Sequence, residues 1–93
     1  PNEDIPKLYN LSQNYPNPFN PTTKIEFVIP LSNNVSLKVF DINGREVLTL
    51  FEGYLNAGKY SFTLNKNNLA SGTYYYQLIS GDFKETKKIV LLK

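Results

Sequence analysis

The chain has no cysteine, histidine, methionine or tryptophan. These absences remove thiol and Ser-His-Asp nucleophiles, Cys/His zinc sites, c-type haem attachment and thioredoxin-like redox chemistry. Alanine, the best helix former, occurs only at Ala57 and Ala70. Arg45 is the single arginine among ten basic residues, which face eight acidic ones for a net charge of +2. A nucleic-acid module clusters its cations and relies on arginine forks; here only Lys87 and Lys88 are adjacent. No apolar run approaches the ~20 residues of a membrane helix, and the acidic start Pro1–Pro6 does not have the make-up of a secretory signal.

What remains is a chain of 93 residues, 41% hydrophobic and 14% aromatic, which is one domain that folds without staples. Its apolar residues alternate: Ile25, Phe27, Ile29; Val35, Leu37, Val39; Tyr60, Phe62, Leu64; Tyr74, Tyr76, Leu78. A period of two is that of half-buried strands. Strands are expected near 8–13, 23–30, 35–41, 45–51, 58–64, 73–80 and 83–92. Asn43-Gly44 suggests a type I′ hairpin, since both central positions of that turn favour positive φ. Seven short strands with turns every 8 to 12 residues predict an all-β, seven-stranded, immunoglobulin-like antiparallel sandwich. Leu69-x-x-Gly72-x-Tyr74 has the spacing of a tyrosine corner, a hydroxyl bonded back to nearby backbone where the chain crosses between sheets.

Residues 1–7, with two prolines and two acids, read as the end of an interdomain linker, and 8–93 as the domain. In the lead-in to the second strand, Pro16, Pro18 and Pro21 fix φ and remove three donors. They predict a stiff, largely extended connection that stays out of the ladders and crosses between sheets, with Phe19 plugging one end of the core and Asn17 and Asn20 bonding locally to backbone.

Gln13-Asn14-Tyr15-Pro16-Asn17-Pro18-Phe19-Asn20-Pro21-Thr22-Thr23 closely resembles the opening of the C-terminal sorting domains of type IX secretion cargo. The Gly44-Arg45 hairpin, Ala57-Gly58-Lys59-Tyr60 and the Leu69–Leu78 stretch with Gly72 and Tyr74 resemble later blocks of that family in order, as does the basic-apolar ending Lys87–Lys93. The resemblance implies a non-catalytic targeting domain at the end of an exported bacterial cargo protein. Such a protein passes through the periplasm, is recognised by an outer-membrane translocon, and in many cases is cut by a sortase-like surface peptidase. No cofactor or metal is implied.

The terminal strand is the expected recognition surface. An edge strand offers unpaired N–H and C=O groups, and Lys84, Lys87, Lys88 and Lys93 discourage casual pairing while leaving a polar face for a receptor. The Gly44-Arg45 hairpin is expected nearby, and deletion of Ile89–Lys93 is expected to abolish delivery. An alternative is a carbohydrate-binding or spacer module of a secreted polysaccharide-degrading enzyme. Its glycan platform would be Tyr75 with Phe40 and Tyr54, joined by Tyr9. A third possibility, Asp41 and Glu46 as a catalytic acid pair, places both carboxylates on an exposed turn without a cleft.

Overall fold

The computed structural model describes residues 8–66 and 69–92. The linker assigned to residues 1–7, part of the Asn65–Asn68 loop and Lys93 lie outside them.

Seven strands form two antiparallel sheets: β1 (Asn10–Leu11), β2 (Thr22–Ile29), β3 (Asn33–Phe40), β4 (Glu46–Leu55), β5 (Gly58–Asn65), β6 (Gly72–Ser80) and β7 (Phe83–Leu91). One sheet has the order β1-β2-β5 and the other β4-β3-β6-β7. This is an immunoglobulin-like sandwich in which β4 pairs with β3, rather than joining the first sheet as the fourth strand of a constant-type domain does. The alternating residues become the core. Ile25, Phe27 and Ile29 face Val35, Leu37, Val39, Tyr76 and Leu78 across the interior, with Leu64, Ile89 and Leu91, all at most 2% exposed. Phe27 stacks on Tyr60 and Phe62, and Phe62 meets Phe51, which closes the β4–β5 side. Tyr9 lies flat on Phe83, ring centroids 4.5 Å apart, at the start of β7.

Four local expectations are corrected. The first strand is two residues long, because beyond Leu11 the chain holds to β2 only through the Ser12 N–H bond to the Glu26 carbonyl and the Tyr15–Lys24 bridge. The fourth runs on to Leu55, since Gly53, which has the look of a turn residue, pairs inside the ladder with Val35. The Asn43-Gly44 turn is not the two-residue type. Gly44 N–H donates to the Asp41 carbonyl, and Asp41 N–H donates to the Arg45 carbonyl, leaving a three-residue loop that ends on Gly44 at φ +84°. That is a type I turn closed by a glycine bulge, and the Asp41 carboxylate favours it by accepting from the backbone N–H groups of Asn43 and Arg45.

The fourth concerns the proline-rich segment, which does cross between sheets but as a series of bends at 16–18 and 20–21. The bonds preceding Pro16, Pro18 and Pro21 are cis. Its non-proline residues also pair: Tyr15 bridges Lys24 of β2, and Phe19 bridges Leu91 of β7. Four residues thus span two sheets about 10 Å apart, and the slack of an extended chain over that distance is taken up in the bends.

Candidate recognition surface

The proline-rich segment is anchored through its polar side chains. Asn14, 2% exposed, donates from its backbone N–H to the Tyr76 hydroxyl at 2.8 Å, and that hydroxyl donates to the Ser12 carbonyl at 2.6 Å. The Asn14 amide donates to the Pro16 carbonyl and to the Thr23 hydroxyl, which itself donates to the Pro16 carbonyl. Burial pushes the Tyr76 phenol up to about 12, against the opposing hydrogen bond from Asn14. The Asn14 side-chain oxygen accepts from Gln13, so the buried side-chain polar atoms of this knot are all partnered, as a low-dielectric interior requires.

The same segment seals part of β7. Gln13 donates to the Lys88 carbonyl at 2.8 Å, and the Asn17 side-chain oxygen, expected to bond local backbone, instead accepts from the distant Val90 N–H at 3.0 Å, because the bends bring it to β7. Phe19 N–H donates to the Val90 carbonyl, and Leu92 N–H donates to the Phe19 carbonyl, both at 2.9 Å. Phe19 itself, 2% exposed, is a core plug. Pro16, Pro18 and Pro21 carry no side-chain contacts of this kind; they set the path along which Gln13, Asn14, Asn17 and Phe19 meet their partners. Asn20 is exposed.

The remaining motif residues shape corners. The Tyr74 hydroxyl donates to the Ala70 carbonyl at 2.6 Å, which is the bond of a tyrosine corner. Gly72 precedes it at φ +143°, a conformation that glycine alone adopts freely. Tyr60 repeats the device at the start of β5, donating to the Asn56 carbonyl at 2.6 Å, two residues after Gly58. This second corner was not foreseen, although the signal is present: both strands open on Gly-x-Tyr.

The outer face of the four-stranded sheet is polarised. Cross-strand rows read Glu46, Phe40, Tyr75, Lys88 at one end and Glu52, Ser36, Ile79, Lys84 toward the other, with Thr49, Lys38, Gln77 and Thr86 between. The β4 side is acidic and the β7 side basic, and Lys38 bridges Glu46 (3.5 Å) and Glu52 (3.9 Å). Lys84 and Lys88 are exposed on this face. Lys87 is turned the other way and pairs with Glu85 at 3.3 Å, so the lysines of β7 do not share one surface. The Gly44-Arg45 hairpin is level with Lys88 but separated from it by β6.

Phe40 and Tyr75 are cross-strand neighbours. Tyr54, 62% exposed, pairs with Asn34, six residues along β3 from Phe40, or about 20 Å at strand spacing. Tyr9 is occupied by Phe83. Asp41 and Glu46 are both engaged. Arg45 holds Asp41 below the ordinary carboxylate range, chiefly through its backbone N–H. Glu46 accepts from the Thr49 hydroxyl at 2.6 Å, and this bond lowers its pKa.

The model of the secretion system C-terminal sorting domain family matches residues 13–92. The chain belongs to that family. The match begins at Gln13, whose side chain bonds to β7, and ends at Leu92, whose N–H bonds to the proline-rich segment. A sorting domain of this family is non-catalytic and targets its cargo for secretion, to the cell surface or outside, through contact with the secretion machinery. Comparison with curated proteins gave no match.

Proposed function

We propose that this sorting domain, residues 8–93 following a linker that ends at residue 7, takes its cargo from the periplasm through the outer-membrane translocon of the type IX system. In this reading the machinery reads the basic margin of the four-stranded sheet, with Lys84 and Lys88 at its centre. One observation carries it. The proline-rich segment locks the end of the β7 edge into the fold at the Lys88 carbonyl, Val90 and Leu92, while the side chains of Lys84 and Lys88 stay exposed. Family-defining residues thus maintain the strand that presents the basic margin. A sortase-like peptidase would cut within residues 1–10, ahead of the residues that the family model matches.

Deletion of Ile89–Lys93 is a poor test, because Ile89 and Leu91 are core residues and their loss unfolds the domain. Charge reversal is better. A reporter fused ahead of residues 1–93, expressed in a bacterium with a type IX system, is compared with its Lys84→Glu/Lys88→Glu form. Both lysines are exposed, so folding is retained. Surface delivery is expected to fall at least tenfold, with folded reporter held in the periplasm. Delivery at the parental level would show that the basic margin is not what the machinery reads.

A further inference from the structure

We propose that the open part of the β7 edge, Lys84 to Lys88, receives an extended acidic segment of a partner as an added strand. This rests on the reading of β7 as the surface seen by the secretion machinery, and specifies how that surface is engaged.

Along an antiparallel strand, the N–H and C=O of one residue point to one neighbour and those of the next residue to the other. Val90 directs both groups away from β6, to Phe19 and Asn17, and the Lys88 carbonyl is turned the same way, to Gln13. Lys84 and Thr86 share this parity. Their N–H and C=O groups, and the Lys88 N–H, therefore line the free edge, and none has a backbone partner among the described residues. The gap is bounded on one side by the Phe19–Leu91 bridge, where the chain's own segment already pairs parallel to β7. The edge is thus a strand-receiving one, filled by the chain itself in its second half only.

Charge selects the occupant. Lys84 and Lys88 project on one face beside the gap, and on the other face Lys87 is balanced by Glu85. An added strand with carboxylates opposite the two lysines makes favourable cross-strand pairs, whereas a second copy of β7 sets lysine against lysine. The acidic β4 edge of another copy is a worse fit, since register shifts after Leu37 and Val39 break its ladder where the β6–β7 ladder is regular from Gly72 to Ser80.

The probe is a capped heptapeptide of alternating valine and glutamate, added to the full chain at low salt, with amide exchange followed by NMR. The amides of Lys84, Thr86 and Lys88 are expected to exchange at least tenfold more slowly with saturating peptide, while Glu85 and Lys87, already bonded to β6, are unchanged. The lysine counterpart of the peptide should bind at least tenfold more weakly. Thr86→Pro removes an edge donor without touching the β6 ladder and is expected to abolish the protection. Should that variant fold poorly, Lys84→Glu/Lys88→Glu serves instead and is expected to reverse the preference toward the lysine peptide. The inference is overturned by binding without protection of these three amides, by protection on β4 or β5, by equal protection from both peptides, or by sedimentation showing that β7 edges pair two copies. Export lost on charge reversal with the edge amides unprotected by the peptide removes strand addition and leaves the basic margin as the recognised surface.

Discussion

The Tyr76 hydroxyl lies between two backbone groups of one short segment, accepting from Asn14 N–H at 2.8 Å and donating to the Ser12 carbonyl at 2.6 Å. It fastens the start of the family's proline-rich motif to the centre of the four-stranded sheet, 62 residues further along the chain. Tyr76→Phe leaves the shape of the core intact but strands a buried N–H. The expected cost is about 1–3 kcal/mol, read as a lower urea midpoint with an unchanged m-value.

Burial of the same hydroxyl makes stability depend on alkaline pH. The Tyr76 phenol titrates at 10.0 when unfolded and at about 12 when folded. Between these values the folded chain binds the proton that the unfolded chain has released, so its contribution is complete below pH 10 and is lost as pH rises toward 12. Every other group is common to the parent and to Tyr76→Phe, so the comparison isolates this phenol. The stability gap between the parent and Tyr76→Phe should therefore close between pH 10 and 12, as followed by urea midpoints at a series of pH values.

The two corner tyrosines invite a test of independence. Tyr60 and Tyr74 make the same bond to the carbonyl four residues back, one in each sheet. Each change to phenylalanine is expected to cost about 0.5–1.5 kcal/mol. Because the two share no partner, the double variant should lose the sum within ~0.5 kcal/mol. A clear departure from additivity would mean that the two corners are coupled through the core.

Most of the architecture is written in the alternation of Ile25 to Ile29, Val35 to Val39, Tyr60 to Leu64 and Tyr74 to Leu78, since a period of two leaves little freedom in which face is buried. The local misreadings share a cause. Gly53 and the Asn43-Gly44 pair carry turn chemistry, but whether a glycine ends a strand or sits in it depends on what lies across the ladder, here Val35 for one and the Asp41–Arg45 pairing for the other. The proposed recognition surface is legible in composition and not in geometry. That the terminal strand carries lysines is plain from the sequence, but their division between two faces depends on the β6–β7 register. The polar knot was hidden for the same reason. Gln13, Asn14 and Thr23 are ordinary polar residues until folding brings Pro16, Tyr76 and Lys88 to them.

Asn17 isolates the clamp on β7 from the core. Its side chain accepts from Val90 N–H, whereas the rest of the clamp is backbone or Gln13. Asn17→Ala should raise the exchange rate of the Val90 amide by tenfold or more, while the amides of Phe19, bonded to the Val90 carbonyl, and Leu92, bonded to the Phe19 carbonyl, keep their protection. The global cost is expected near 1 kcal/mol. Uniform loss of protection along β7 would instead show that the strand opens as one unit.

Ser80, the last residue of β6, is wholly buried, and its hydroxyl has no partner among the described residues. A buried hydroxyl without a hydrogen bond is destabilising by about 1–3 kcal/mol relative to a paired one. Most substitutions in a core weaken it, because they remove contacts along with atoms. Ser80→Ala removes only the unsatisfied oxygen, and it opens a space smaller than a methyl group beside Val35 and Phe83, its neighbours in the ladders. The variant should therefore be as stable as the parent or more so, by up to ~1 kcal/mol. A fall in the urea midpoint would reveal that the hydroxyl is bonded in solution, with a buried water as the natural partner.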